Sequence, residues 1–411
     1  MTKDHISFST EQRIRERPIN VLVVHDFYKE RGGEDGSFRA NCDALATLGF
    51  IVHTQTFNNH DMDSKSAIGK LDVTLWNRHA NRIIRDICLD SKIDIMHAHN
   101  TFPLASPSIY YAAKSAGAKV VQWLHNYRLL CPGASFFRNG SVCELCMKQL
   151  APWPSIVHAC YRNDRAASAA VSAMLVMHRI RGTWANKVDK YIALTEFGRD
   201  KFVEAGFSPD QIAVIPNHVD PDPGPGAGAG GYGFFAGRLT EEKGVRLLLD
   251  ALARRKTSDE FVIVGDGQLL PEVQSFCAQN PRTRFLGPLP NTRVLELMKE
   301  ARFVVFPSLW YEGLPRTIIE SFAVGTPVVG PYLGAMSGLI TAGGDGLHFK
   351  AGDPISLAAA IDEIADDQAR YQSLRENARR KYLDNFTRRA VLPLLKSLMN
   401  GLLAESGVRG S

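Results

Sequence analysis

Two glutamates stand eight residues apart in the stretch SLWYEGLPRTIIESFAVGTPVVG, Glu312 ahead of a Gly-Leu-Pro turn and Glu320 beyond it. Pro315 suits the first turn of a helix and Gly325 its end, so the spacing predicts a helix over Pro315 to Val324, with Glu312 in the loop and Glu320 inside. The free backbone N–H groups between Gly313 and Arg316, together with the helix dipole, favour an anion at that turn. A phosphate beside two carboxylates able to grip hydroxyls points to a sugar nucleotide. Upstream, YGFFAGRLTEEKGVRLLLDAL sets Arg238 and Lys243 just past an apolar run, within reach of a diphosphate lying over the carboxyl end of a sheet. VIVGDGQL ends a second such run at Gly265, where a missing side chain lets backbone approach a nucleotide closely.

A different chemistry is offered by Cys131, Cys143, Cys146 and Cys160, four of the chain's 7 cysteines. One Cys-x-x-Cys pair with a cysteine on either side allows a tetrahedral thiolate site for structural zinc, which would leave no open position for catalysis. The competing reading is four reduced thiols without metal. The remaining Cys42, Cys88 and Cys277 read as ordinary thiols.

The elements that position these residues follow from periodicity. Short β-branched runs recur along the chain, INVLVV, IVHTQT, IDIMHAH, KVVQWL, KYIALT and QIAVIP in the first half, then YGFFAG, EFVIVG, RFLG, FVVFPS, PVVG and GLHF. Helical patterns lie between them, at Gly36 to Leu48, Glu241 to Arg255, Asn291 to Ala301 and Asp353 to Ala365. Alternating strand and helix predicts an α/β protein with two doubly wound, Rossmann-like parallel sheets. The Pro- and Gly-rich segment His218 to Gly231 breaks the rhythm and reads as the linker. The expected division is residues 1–217 as the first domain, 218–231 as linker, 232–387 as the second domain, and 388–411 as a helix crossing back to the first domain.

On these residues the chain resembles the retaining glycosyltransferases of family 4, with the GT-B fold of two such domains facing across a cleft. The resemblance covers nearly the whole chain and implies that residues 1–217 are the acceptor-binding domain and residues 232–387 the nucleotide-sugar domain. It implies that Glu312 binds donor-sugar hydroxyls, Glu320 holds the ribose, and Arg238 with Lys243 neutralises the diphosphate. Gly265, Gly313, Leu314, Pro315 and Arg316 complete the donor site. It further implies that the loop VVHDFYKERGGEDGSF is the family's glycine loop, with Gly32 and Gly33 facing donor phosphate and acceptor, and that His125 in QWLHNYR lies beside the reacting sugar. The family often has His-Asp there; His125-Asn126 is similar to a bacterial exopolysaccharide and lipopolysaccharide subgroup that also shares the cysteine cluster. The implied activity is transfer of a sugar from a UDP- or GDP-sugar to an acceptor hydroxyl with retained configuration and no catalytic cofactor, since no Asp-x-Asp metal motif lies near the donor residues. A sugar-nucleotide epimerase or hydrolase, or a non-catalytic sugar-nucleotide-binding partner, is the alternative.

Composition bounds the partners. With 45% hydrophobic and 22% charged residues over 411, the chain can bury a large core. Its formal charge of +5 is concentrated, for residues 110 to 190 hold 11 basic against 3 acidic side chains. That favours an anionic partner such as a membrane surface or a lipid-linked glycan, and no motif supports nucleic acid. The stretch AASAAVSAMLVMHRIRGTW reads as either an interfacial helix or a core helix. No run is long enough to span a bilayer, and the polar start MTKDHISFST carries no apolar signal core, so a cytoplasmic, at most peripheral, location is expected. His97 and His99 are expected to be packed or hydrogen-bonded, with His25 and Asp26 near the acceptor.

Overall fold

The computed structural model describes residues 18–29, 33–366 and 368–407. Gly32 falls outside them. Two six-stranded parallel sheets carry the architecture. The first contains β1 (Asn20–Phe27), β2 (Ile51–Asn58), β3 (Ile95–Ala98), β4 (Lys119–Leu124), β7 (Lys190–Ala193) and β8 (Ile212–Val214), in the order β2-β1-β3-β4-β7-β8. Between β4 and β7 lies a small antiparallel hairpin of β5 (Phe137–Arg138) and β6 (Ser141–Val142). The second sheet runs β11 (Thr283–Phe285), β10 (Phe261–Val264), β9 (Gly233–Ala236), β12 (Phe303–Val305), β13 (Val328–Pro331), β14 (Gly346–Phe349).

Each order reverses once, between β1 and β3 in the first sheet and between β9 and β12 in the second. At such a reversal the connections leave in opposite directions and open a crevice above the carboxyl ends of the strands. The residues following β9 and β12 include Lys243 and Glu312, and those following β3 and β4 include His99 and His125. Both crevices are therefore lined by residues of chemical interest.

Strand alternation builds the core. Phe234 turns one way, into an apolar cluster shared with Val21, Val23, Ile95 and Val121 of the first sheet, while Phe235 turns the other way onto Leu248 and Leu252. The closing helix, Arg388–Gly407, buries Val391, Leu395 and Met399 in the shared cluster and reaches the first sheet, where Met399 Sδ lies 3.0 Å from His97 Nε2. The helix expected from Glu241 instead begins at Val245. Gly244 (φ 71°) turns the chain there because a side chain would meet the Pro307 carbonyl at 2.0 Å. Lys243 thus sits in a loop that points across to β12.

Candidate active site

Glu312 is buried at 8% exposure in the loop after β12. Lys243 Nζ donates to its Oε1 at 2.7 Å, and Ser308 Oγ donates to the same oxygen at 2.8 Å. The ammonium also lies 5.3 Å from the Trp310 ring centre, which adds a face favourable to a cation. The helix that follows spans Arg316–Ala323, so Gly313, Leu314 and Pro315 form the turn ahead of it and Glu320 lies on it, 5% exposed. Glu320 Oε1 accepts from Arg316 Nη2 at 3.1 Å and Asn291 Nδ2 at 3.4 Å. Gly265 (φ 150°) packs so closely on the end of β9 that a Cβ would stand 1.9 Å from the Gly237 carbonyl oxygen. Arg238 differs from its companions: its side chain is 58% exposed and pairs with Glu242 at 3.3 Å. Of the two cations expected at one diphosphate, Lys243 is thus fixed to the Glu312 carboxylate, while Arg238 pairs with Glu242 and keeps most of its side chain in water.

Across the cleft, His125 follows β4 with its ring stacked on Trp123, centroids 5.7 Å apart. His99, beyond β3, stacks on both Trp123 and His125 and completes a hydrogen-bonded line: His99 Nδ1 lies 2.8 Å from His125 Nε2, and His99 Nε2 lies 3.1 Å from Asn41 Oδ1. With the Asn41 carbonyl accepting from His99 Nε2–H, His99 Nδ1 is left as the acceptor for His125 Nε2–H. Burial pushes His125 down to about 3 and His99 well below its ordinary range, so both rings are neutral and one proton orders the pair. Asn126 donates to Glu34 Oε1 at 2.8 Å. An aspartate at 126 would set two carboxylates against each other there, which is a physical reason for asparagine.

The two halves touch at these same residues. A Cβ on Gly313 would stand 2.9 Å from the His125 carbonyl oxygen, Thr195 Oγ1 donates to the Gly313 carbonyl at 3.2 Å, and Tyr127 donates to the Glu312 carbonyl at 3.4 Å. Gly36, near the start of the helix after the glycine loop, comes within 3.4 Å of Arg316 when given a Cβ. Gly33 opens that helix with free space around it.

Sequence reasoning expected His97 and His99 only as packed or hydrogen-bonded residues, which they are, and did not single out Asn41 or Ser308. The spacing His97-x-His99 at the end of a strand on the reversal was the available signal, and only the second of the two faces the cleft group. His25 and Asp26, expected near the acceptor, are fully buried instead. His25 pairs with Asp35 at 3.0 Å, and Asp26 accepts from the Leu104 amide at 2.7 Å, so both clamp loops rather than meet a ligand. Burial pushes Asp26 up to about 8.

The four cysteines are drawn into one neighbourhood around the β5–β6 hairpin. The Gly133 Cβ position lies 3.8 Å from Cys131 Sγ and 3.6 Å from Cys160 Cβ, and Cys146 feels the charges of the other three thiols. The amides of residues 133–136 face the Cys131 sulfur. Among the described residues, however, no three His, Cys, Asp or Glu side chains stand in metal-holding geometry.

Two parallel sheets, each reversed once and meeting carboxyl edge to carboxyl edge over a Lys–Glu pair and a histidine, define the GT-B architecture. The profile of Glycosyltransferase Family 4 matches residues 68–223, and that of Glycosyl transferases group 1 matches residues 231–381. The chain therefore belongs to the glycosyltransferases, built from a family 4 half followed by a group 1 half. It is 25% identical over 328 residues to a protein from the cps region of Klebsiella pneumoniae, 78% of each chain being covered. To a Salmonella typhimurium glycosyltransferase named for colanic acid biosynthesis it is 25% identical over 228 residues, 51% of this chain and 56% of that one. Another relative, an uncharacterised glycosyltransferase of Methanocaldococcus jannaschii, is matched over 60% of its length. The crystal structure of Anabaena HepE in complex with UDP superposes with a TM-score of 0.67 at 17% identity, covering 92% of this chain and 99% of that one, a likeness of fold.

Proposed function

We propose that the protein transfers a sugar from a UDP- or GDP-sugar to an acceptor hydroxyl with retention of configuration and without a catalytic metal. The observation that carries this reading is the Lys243–Glu312 pair, held at 2.7 Å over the reversal of the second sheet and beside the amide-rich turn of residues 313–316. Glu312 would take donor-sugar hydroxyls and Glu320 the ribose. Lys243, Arg238 and the amides would meet the charge that develops on the leaving diphosphate. In the transfer step the bond from the anomeric carbon to the diphosphate oxygen breaks with its electron pair staying on the diphosphate. The acceptor oxygen bonds to that carbon from the same face, and its proton passes to the departing phosphate oxygen. No protein base is required, and His125 positions the sugar.

The acceptor proposed is a lipid-linked glycan of surface polysaccharide assembly, in keeping with the relatives from a cps region and from colanic acid biosynthesis. Glu312→Ala, Arg238→Ala and Lys243→Ala are each expected to lower transfer by orders of magnitude. Near-normal turnover in both cation variants would remove the diphosphate role. Donor depletion that needs no acceptor would turn the reading into hydrolysis or epimerisation.

We also propose a structural zinc held by Cys131, Cys143, Cys146 and Cys160. Four thiols in one neighbourhood have the donor chemistry for it, and their sulfurs would close on the ion. One equivalent of zinc in protein purified without chelator, lost in Cys143→Ser, is the expected result. Metal-free protein with unchanged thermal stability in chelator would refute it.

A further inference from the structure

The loop that carries the four cysteines reaches the second half of the molecule at two points. At the tip of the β5–β6 hairpin, Asn139 and Gly140 turn the chain at positive φ (52° and 74°), and the Gly140 Cβ position lies 3.6 Å from Glu241 Oε1, in the segment between Arg238 and Lys243. Glu144, bracketed by Cys143 and Cys146, pairs with Lys201 Nζ at 2.8 Å and takes a hydrogen bond from Tyr311. Tyr311 is the residue ahead of Glu312. The loop therefore meets both segments that supply the candidate donor residues, which steadying His125 alone would not require.

Tyr311 belongs to the second half, yet its side chain is housed by the first. Its ring centre lies 4.8 Å from that of Phe197, 6.0 Å from Phe136 and 6.5 Å from Tyr127, each contact steeply edge-on, the arrangement aromatic rings prefer. Lys201 Nζ stands 5.6 Å from the same ring centre, so one ammonium serves both the Glu144 carboxylate and the ring face. Burial and the hydrogen bond to Glu144 push the Tyr311 phenol up, which keeps it a donor. Behind the ring, Gly334 leaves room for it: a Cβ there would stand 2.9 Å from Tyr311 Cδ1. The grip continues along the chain, for the carbonyls of Glu312 and Gly313 accept from Tyr127 and Thr195 of the first half.

We infer that Tyr311 is a positioning residue, a knob that seats the Glu312 turn of the second half against the first, and that the cysteine-bearing loop builds its socket. Phe136, fully buried, holds a φ of 50° and Ala134 one of 67°, a region that residues with side chains rarely enter, and the amides of residues 133–136 face the Cys131 sulfur. The cysteine thus fastens the turn that aims Phe136 at Tyr311. Lys243 and Ser308 hold the Glu312 carboxylate within its own half, but its distance to His125 depends on how the two halves meet. A misplacement of about 1 Å there is enough to slow a reaction by about a hundredfold. A plain apolar side chain would also pack in the socket. It would tolerate sliding, whereas a phenol bonded to one carboxylate, itself paired with Lys201, admits a single register. The consequence for catalysis rests on Glu312 being the sugar-binding carboxylate; the seating does not.

The test is amide hydrogen exchange of the full chain without ligand, followed on the peptide covering residues 309–316, with peptides from β3 and β9 as references. Tyr311→Ala is expected to speed exchange of the 309–316 peptide by about tenfold or more, and Tyr311→Phe and Glu144→Ala by about fivefold each, with the references unchanged. The double variant Tyr311→Phe/Glu144→Ala should exchange no faster than either single one, since both remove the same bond. In sugar transfer, Tyr311→Phe should lower kcat by about fivefold and leave the donor KM within about twofold, because the groups that bind the nucleotide stay in place. Unchanged exchange in Tyr311→Ala would overturn the inference, as would exchange that rises equally in β3 and β9, which would make the ring ordinary core. Single effects that add in the double variant, or a loss confined to KM, would overturn it too. The expected exchange pattern in a protein that transfers no sugar would fault the proposed reaction and leave the seat standing.

Discussion

Replacing Lys243 with methionine keeps most of the side-chain bulk and removes the charge. Glu312, 8% exposed, would then hold a carboxylate in the interior with one hydroxyl, that of Ser308, in place of an ion pair at 2.7 Å and a hydroxyl. Breaking a fully buried pair costs about 3–5 kcal/mol, most of it the penalty for the charge left behind. The Lys243 side chain keeps 19% of its surface in water, so the cost falls below that range, to about 2–3 kcal/mol. For a domain of this size that is a fall of about 4–12 °C in melting temperature. Glu312→Gln should cost less, since an amide needs no counter-charge. The double variant Lys243→Met/Glu312→Gln should recover at least about 1 kcal/mol of the sum. The assay is thermal and urea unfolding of the four proteins without ligand at pH 7.5. A Lys243→Met protein as stable as wild type, or single losses that simply add, would mean that the pair is not coupled. Arguments about how the carboxylate is poised for the sugar would then fail with it.

Three further outcomes follow from other parts of the molecule. Gly265→Ala would force a Cβ against the Gly237 carbonyl at a positive φ and should cost more than about 3 kcal/mol, read as a urea midpoint; an unchanged midpoint refutes the close approach. Burial lowers His25, His97, His99 and His125 below their unfolded value of 6.5, so the stability they contribute is present above pH 6.5 and is lost as pH falls, by up to about 1.4 kcal/mol per pH unit for each. Asp26 has the opposite sign: it is raised from 3.8 to about 8, so the folded state holds its proton and stability declines as pH rises from about 4 to 8. Between pH 6.5 and 8 the histidines are silent, and Asp26→Asn, which retains an acceptor for the Leu104 amide, should flatten the urea midpoint across that window; an unaltered slope would remove the assignment.

Much of the scaffold was legible because parallel strands buried on both faces must be apolar runs, and each run quoted from the sequence overlaps a strand. The Glu312–Glu320 spacing was legible for a related reason, since proline and glycine bracket the helix. What stayed hidden was long-range. Nothing local announces that Lys243, rather than Arg238, turns to Glu312, because that depends on a Gly244 turn that packs against the carbonyl of Pro307 in the loop after β12. The same holds for the β5–β6 hairpin, whose four residues are too short to leave a period.

The histidine line carries this furthest. His97 and His99 are indistinguishable by sequence environment, two positions apart on one strand end, yet one contacts the closing helix and the other His125. Asn41 decides the difference, because its carbonyl fixes the proton of His99 on Nε2 and so fixes what His125 can present to a ligand. Among the described residues no hydrogen bond reaches His125 Nδ1, which leaves that nitrogen as a hydrogen-bond acceptor for a hydroxyl arriving in the cleft. His99→Phe would preserve the stacked ring and remove the fixing atom. Transfer should fall by about tenfold, the worth of one hydrogen bond of roughly 1.4 kcal/mol, with the ¹⁵N shifts of His125 moving toward a mixture of tautomers. Unaltered shifts and unaltered turnover would leave His99 as packing alone.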